Sequence, residues 1–466
     1  MKKTTTSLVI LGWALLSIIS CNSSPKSPPP SQLNEEDLKV IRSIFDEALA
    51  NGQGYGWLEE LCLDIGPRLS GSQQAADAVS WGKNLMEELE FDQVFLQDVM
   101  VPHWERGKKE SAQIVGGEEL AILAIGGSVA TPDEGIKAQV VEVFSLDEVD
   151  ELGENGVKGK IVFYNRAFDQ RNINTGAGYG GVVDQRSQGA SRAAKYGALA
   201  IVMRSASSAF DDAPHTGALR YAEDQDKIPA GALGVQSAMK LAEALKANPN
   251  LELELAIHSK WFEDAPSHNV VGELKGSISD KIITVGGHLD SWDVGHGAHD
   301  DASGCIHSIE ALHLLKKLGI QPKHTVRAVL FMNEENGTRG GMKYSELAQE
   351  NKEKHLIAIE SDAGGFSPRG FGLSGPDEML ERFRSWLPLF PQNTISYINK
   401  GGGGVDVGPI HRDTGVPMMG LNVDSQRAFD YHHSPRDVFE TVNRRELLLG
   451  TASLAAMIYL IDKYEK

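Results

Sequence analysis

The chain has 466 residues, more than one hydrophobic core usually supports, so two domains are expected. Its 41% apolar content is that of an ordinary globular protein. A formal net charge of -19, from 64 acidic against 45 basic residues, argues against a nucleic-acid partner, which needs clustered Lys and Arg to meet phosphates.

Lys2 and Lys3 precede the apolar run Leu8 to Ile19, which is too short to span a bilayer and reads as a signal peptide over residues 1–21. The run ends Ile18-Ile19-Ser20-Cys21, which resembles a bacterial lipobox. That resemblance implies an exported lipoprotein, periplasmic or at the cell surface, anchored to a membrane by lipid on Cys21. The Ser/Pro-rich stretch 22–33 then serves as a flexible tether. Cys62 and Cys305 lie far apart in apolar helical patterns, which excludes a disulfide scaffold and leaves open whether they pair.

Apolar residues at helical spacing predict helices over Glu35 to Asn51 and Ala75 to Leu89, and alternation predicts a strand over Asp92 to Val101. After Trp104 the pattern changes to short runs with Gly and Pro punctuation, Ala121 to Ile125, Gln139 to Val143 and Lys160 to Tyr164, followed by a helical stretch at Ala190 to Lys195. This predicts an inserted domain over residues 118–260 within a main domain made of 34–117 and 261–466. From Lys281 onward, Ile282 to Val285, Thr325 to Met332, Leu356 to Ile359 and Pro417 to Leu421 are apolar runs of buried-strand length alternating with helices. The fold class is therefore α/β, a mostly parallel mixed sheet flanked by helices. One such helix spans about Ser303 to Leu318, stopped by Gly319 and Pro322. The apolar run Leu447 to Ile461 is short for a membrane span and reads as a buried terminal helix.

Five polar clusters fall at or after the predicted strand ends, where open α/β sheets bind ligands: His288-Leu-Asp290, His299-Asp300-Asp301, Glu334-Glu335, Glu360-Ser-Asp362 and His432-His433. Mixed imidazole and carboxylate, with no Cys-x-x-Cys pair, suits zinc in a hydrolytic site better than a closed structural one. Two metals sharing a carboxylate would need about five protein ligands and one free base. His-x-Asp on a strand puts both side chains on one face, so the Asp290 carboxylate is expected to hold the ring nitrogen of His288 that does not touch metal. Of Glu334 and Glu335, one can turn to metal and the other to the attacking water.

The segments GGHLDSWDVGHGAHDDASG, NEENGTRGG, ESDAG and YHHSPRD resemble the successive metal motifs of the co-catalytic di-zinc aminopeptidases. The likeness extends through the insert, in KIVFYNR, QGASRAAKYGALAIVMRS, PHTG and KIPA. The resemblance implies a zinc-dependent exopeptidase, an aminopeptidase or dipeptidase, acting on dipeptides or short peptides with a free N-terminus and working as a homodimer. It implies two zinc ions, with His288 and Asp362 on one, Glu335 and His433 on the other, and Asp300 bridging. It further implies Glu334 as general base, a cis bond between Asp300 and Asp301, and an insert that is β-rich and protease-associated-like. The segment 401–417 follows the family's pattern only loosely, which puts substrate contacts there in doubt.

His411, His432, Tyr431 and His215 could donate to an oxyanion or to a substrate carboxylate, but a packed, hydrogen-bonded side chain is the simpler reading of each. His299 should point away from the metals if its segment is extended. GAGYGG at 176–181 is too far beyond a strand for dinucleotide binding, and Ser374 lacks a nucleophile elbow. Two other readings compete: a single-zinc acyl transferase of the glutaminyl cyclase type, and a non-catalytic receptor that kept the fold.

Overall fold

The computed structural model describes residues 34–465, so the expected signal peptide, Cys21 and the expected tether lie outside the described residues. Helix α1 (Glu35–Asn51) begins where the Asn34 side chain accepts the Glu36 N–H, and it buries Ile41, Ile44, Phe45 and Ala48 along one face. Helix α2 (Gln73–Glu88) starts in the same way, with Ser72 accepting the Ala75 N–H. Strand β1 (Gln93–Val101) then enters the main sheet at its edge.

The main sheet continues with β2 (Ala265–Leu274), β3 (Ile282–His288), β4 (Thr325–Phe331), β5 (His355–Glu360), β6 (Pro368–Ser374), β7 (Tyr397–Lys400) and β8 (Met418–Val423). Its spatial order is β1-β2-β4-β3-β5-β8-β6-β7. The four central strands β4, β3, β5 and β8 run parallel, while β2 and β6 join them antiparallel on either side. Every residue of β3 is buried, as expected for a strand covered on both faces.

Helix α3 (Ser303–Lys317) follows β3 and packs between the sheet and the terminal helix α5 (Arg444–Tyr464), while α4 (Arg339–Glu350) follows β4. A Cβ on Gly304 would stand 1.7 Å from the Ser361 carbonyl oxygen, so only glycine lets α3 start this close to the end of β5. Helix α5 is long and apolar enough to cross a membrane, yet 89% of its apolar window is buried inside the protein, which fits the buried-helix expectation. Cys62 and Cys305 are both free and buried.

A second sheet of eight strands lies between Ser111 and Ala256, and its strand Ser111–Ile114 precedes the boundary at 118 that the sequence suggested. Its central strands Ile136–Val143, Ile161–Tyr164, Ala200–Arg204 and Ala230–Leu233 are parallel. Ile161 and Phe163 face one core with Ala238 and Leu241 of the helix Val235–Ala247. Val162 and Tyr164 face the other with Val149 and Val157 of the helix Leu146–Val157. The insert is thus a sheet covered by helices on both sides.

One buried ion cluster ties the antiparallel flank of the main sheet to its parallel centre. Arg327 on β4 donates to Glu273, its cross-strand partner on β2, at 2.7 Å, and to Glu353 at 2.7 and 3.0 Å. Removing the cation strands a buried carboxylate, so Arg327→Ala is expected to cost about 3–5 kcal/mol of stability. Urea unfolding measured against the parent should reveal this as a lowered midpoint; an unchanged midpoint contradicts it.

Candidate metal centre

The C-terminal ends of the four parallel strands deliver the clusters to one cleft. β3 ends on His288, β4 leads into Asn333-Glu334-Glu335, β5 leads into Asp362, and the chain after β8 turns back to His432 and His433. Asp300 arrives on the loop between β3 and α3. The cleft has a volume of about 730 Å³, and Asp300, Glu334, Glu335, Asp362 and His433 line it together with insert residues such as Tyr179 and Arg186.

Asp300 stands at the centre with its two oxygens facing different partners. Its Oδ1 is 3.1 Å from His288 Nε2, which is itself 3.4 Å from Asp362 Oδ1. Its Oδ2 is 3.2 Å from His433 Nε2, which is 3.1 Å from Glu335 Oε2. The sequence-predicted ligands therefore sort into two groups that share only Asp300. The peptide bond between Asp300 and Asp301 is cis.

Buried polar atoms in this cluster lack partners. His288 Nε2, Asp300 Oδ2 and Glu335 Oε1 have no hydrogen bond among the described residues. His288 Nδ1 lies 2.9 Å from the Asp290 carbonyl, which can only accept, so Nδ1 carries a proton and Nε2 is the nitrogen that faces the Asp300 and Asp362 carboxylates. Three carboxylates and two imidazoles converging in a largely buried site are what a cation resolves, and the donor set fits a metal. Burial, with the Asp300 charge beside it, pushes Glu335 up to about 7. Burial also lifts Glu334 well above the usual carboxylate range, opposed by His288 and reinforced by Asp362, Glu335 and Asp300. Asp300 is subject to the same burial, but His288 and His433 hold it well below that range.

Other close triplets include Asp301 and His432. The Asp301 oxygens are taken by the N–H groups of His288 at 3.1 Å and Gly304 at 2.9 Å, which fixes it as a brace for the loop. His432 Nε2 is 3.6 Å from Asp300, whereas His433 meets both Asp300 and Glu335. His433 has φ 59° and Asn333 φ 75°, left-handed values that are uncommon away from glycine and cluster at working sites.

The expected role of Asp290 needs correction. Its carboxylate is 4.0 Å from His288 Nδ1, and its carbonyl makes the contact instead, because β3 ends at His288 and strand alternation does not extend to residue 290. The carboxylate accepts the N–H groups of Asn333 at 2.6 Å, Glu334 at 3.0 Å and Glu335 at 3.4 Å. It fixes the turn that carries the two glutamates.

Asp437, the last residue of the YHHSPRD motif, escaped the sequence reading. One of its oxygens accepts the His299 N–H at 2.8 Å and the other the Asp300 N–H at 3.0 Å. Arg68 was missed as well. It is fully buried and donates to the carbonyls of Leu289, His296 and Gly297, gripping the loop between His288 and Asp300. Neither has a metal-ligand spacing, although the motif's own aspartate was a visible signal for Asp437. Glu360 turns beneath the glycine loop 401–404, accepting the Val407 N–H at 2.8 Å; a Cβ on Gly404 would stand 1.8 Å from its Oε1.

The remaining candidates are packed. His299 stacks on Phe366 with centroids 4.0 Å apart, accepts the Gly365 N–H, and burial lowers it to about 3. Tyr431 joins that stack, and His411 Nδ1 meets the Val416 carbonyl at 2.6 Å. His215 is buried in the insert, and neither ring nitrogen has a partner among the described residues.

Comparison with known proteins now adds to this geometry. The profile of Peptidase family M28 matches residues 269–457. Carboxypeptidase Q from Bos taurus is 34% identical over 450 residues, covering 94% of this chain and 93% of that protein. The chain belongs to peptidase family M28. Carboxypeptidase Q from Xenopus laevis is 35% identical over 433 residues, covering 92% of this chain and 90% of its own length. The crystal structure of a Peptidase M28 precursor from Shewanella amazonensis SB2B superposes with a TM-score of 0.87 at 33% identity, covering 93% of this chain and 98% of that one. A zinc aminopeptidase from Bacillus subtilis shares the fold at a TM-score of 0.65 and 19% identity, covering 89% of this chain and 96% of its own.

Asp290 and Asp437 hold backbone rather than substrate, so Asp290→Asn and Asp437→Asn are each expected to weaken metal retention about 10- to 100-fold, the usual cost of losing an outer support. Metal content after dialysis against graded chelator measures this. Retention equal to the parent in both variants contradicts it.

Proposed function

We infer that the chain is a zinc-dependent exopeptidase, an aminopeptidase or dipeptidase that hydrolyses dipeptides or short peptides with a free N-terminus, using two zinc ions per chain. The observation that supports this reading is the division of the donor set by Asp300, with His288 and Asp362 against one oxygen and Glu335 and His433 against the other. Imidazole and carboxylate without thiolate are the donors of hydrolytic zinc sites. The names carried by the carboxypeptidase Q relatives and by the zinc aminopeptidase fold neighbour agree with it.

Each group would hold one ion, with Asp300 serving both. When bound, the pair supplies Lewis-acid polarisation of the scissile carbonyl and a water that is nucleophilic at neutral pH. Glu334 lines the same cleft without being needed as a ligand, so its carboxylate would accept the water's proton and return it to the departing amine. Asp290 would act through the turn it holds, keeping Glu334 and Glu335 pointed at their separate tasks.

A single-ion acyl transferase of the glutaminyl cyclase type would leave half of this donor set without a task, and a receptor would have no use for Glu334. Lipid anchoring at Cys21, export to the periplasm or cell surface, and homodimer assembly form part of the same proposal. They rest on the sequence motif and the family resemblance.

Residues 32–466, loaded with zinc, should bind about two ions per chain and lose turnover on chelation. Glu334→Gln should keep the metal while kcat on a dipeptide falls about 10²- to 10⁴-fold, the range lost with a general base. Full activity in that variant would remove Glu334 as the base, and one ion per chain would favour the acyl-transferase reading.

A further inference from the structure

Every candidate ligand but one is held through its own backbone or ring. His288 has the Asp301 carboxylate on its N–H and the Asp290 carbonyl on its ring, Asp300 has Asp437, Glu335 has Asp290, and the His433 carbonyl accepts the Thr216 N–H. Asp362 has no such bond among the described residues, although its carboxylate has to stand 3.4 Å from His288 Nε2 to share that group.

The residue before it is held instead, at three points. Ser361 donates its N–H to the Gly286 carbonyl of β3 at 2.9 Å, its own carbonyl oxygen occupies the space that a Cβ on Gly304 would need, and its Oγ lies 2.9 Å from His307 Nδ1. His307 is on α3 and fully buried. An imidazole in such a place is costly unless both nitrogens are satisfied, and here both are. Nε2 is 3.1 Å from the Leu447 carbonyl, near the start of α5, and a carbonyl can only accept, so Nε2 carries the proton. Burial pushes the ring down to about 4, which keeps it neutral and leaves Nδ1 to accept the Ser361 hydroxyl.

Helix α5 also gives up a side chain to admit the ring. A Cβ on Gly450 would stand 2.5 Å from His307 Nε2, and glycine is otherwise a poor residue for a helix interior. A polar chain thus runs from the terminal helix through α3 to the residue bonded to Asp362, and ends there. A leucine would fill a buried position on α3 without needing partners, so the chain serves placement rather than packing.

We propose that His307 and Ser361 are positioning residues for Asp362, which aim its carboxylate and so set the affinity of one of the two ions without affecting the other. This rests on the two-ion reading above. Neither side chain faces the donor atoms; both act through the backbone that carries Asp362. The half formed by Glu335 and His433 has separate supports in Asp290 and Thr216, so the two halves are held independently.

Zinc would be withdrawn by graded chelator from the parent, Ser361→Ala, His307→Leu and the double variant, counting ions per chain at each step and following thermal unfolding in parallel. Ser361→Ala should release one ion about 10- to 100-fold more readily than the parent, the usual cost of losing an outer support, and the other ion as the parent does. The double variant leaves neither partner unsatisfied, so its Tm should return toward the parent's while the weakened ion stays weak. A merely structural link would recover both. On an Asp362→Asn background, Ser361→Ala should weaken the remaining ion no further. Retention of both ions as in the parent by Ser361→Ala, which removes a single oxygen, overturns the proposal, as does equal weakening of both ions. Two ions in the parent leave the two-ion reading standing in either case, whereas one ion in the parent overturns that reading and the proposal together.

Discussion

Asp300 turns both oxygens toward imidazoles while Glu335, Asp362 and Glu334 crowd the same cleft. At a protein-like permittivity, two like charges 4 Å apart repel by on the order of 4 kcal/mol, so this crowd resists being assembled. The protein does not relieve it by hydrogen-bonding these polar atoms to one another, since His288 Nε2, Asp300 Oδ2 and Glu335 Oε1 stay unpartnered among the described residues. It compensates from behind, through the backbone. The arrangement of nearly every loop around the cleft follows from that choice.

The supports are themselves buried acids. Asp290 takes three successive N–H groups of the Asn333-Glu334-Glu335 turn, Asp437 takes those of His299 and Asp300, and Asp301 takes those of His288 and Gly304. A carboxylate accepting two or three peptide N–H groups gains the hydrogen bonds that make its burial tolerable and pins the peptide planes it touches. Arg68 does the converse, satisfying three carbonyls of the loop between His288 and Asp300. The candidate ligands are thereby fixed by main chain rather than by side-chain packing, which leaves their donor atoms free for an ion.

The expectations that held from sequence were those set by strong local pattern. The apolar runs of β3, β4, β5 and β8 are buried on both faces, so they read as uninterrupted hydrophobic text and the clusters after them stood out. β2 was not anticipated because its first half, Ala-Pro-Ser-His-Asn, is polar, and its place comes from pairing with β1 and β4. β7 is four residues with half-exposed polar text, too short to carry a period. The role given to Asp290 failed for a related reason: strand alternation was extended two residues past the point where the strand stops. Arg68 and Asp437 act through peptide groups remote in sequence, and no spacing rule encodes such a contact.

The insert's place in this scheme is the least legible part and has the largest consequence. His433 belongs to the main domain, yet its carbonyl accepts the Thr216 N–H at 2.8 Å and its ring faces Arg186, both on the insert. The loop leading to it is held as well, with Phe429 O accepting from Ser207 and Asp430 from Ser208. His433 also carries a left-handed backbone, a conformation that persists only where neighbours over-determine it. An insert attached in this way cannot swing aside as a lid without disturbing His433 and the group around Glu335. The insert is therefore part of the cleft itself, lining it with Tyr179, Arg186 and Arg220 while holding His433 in place from the outside.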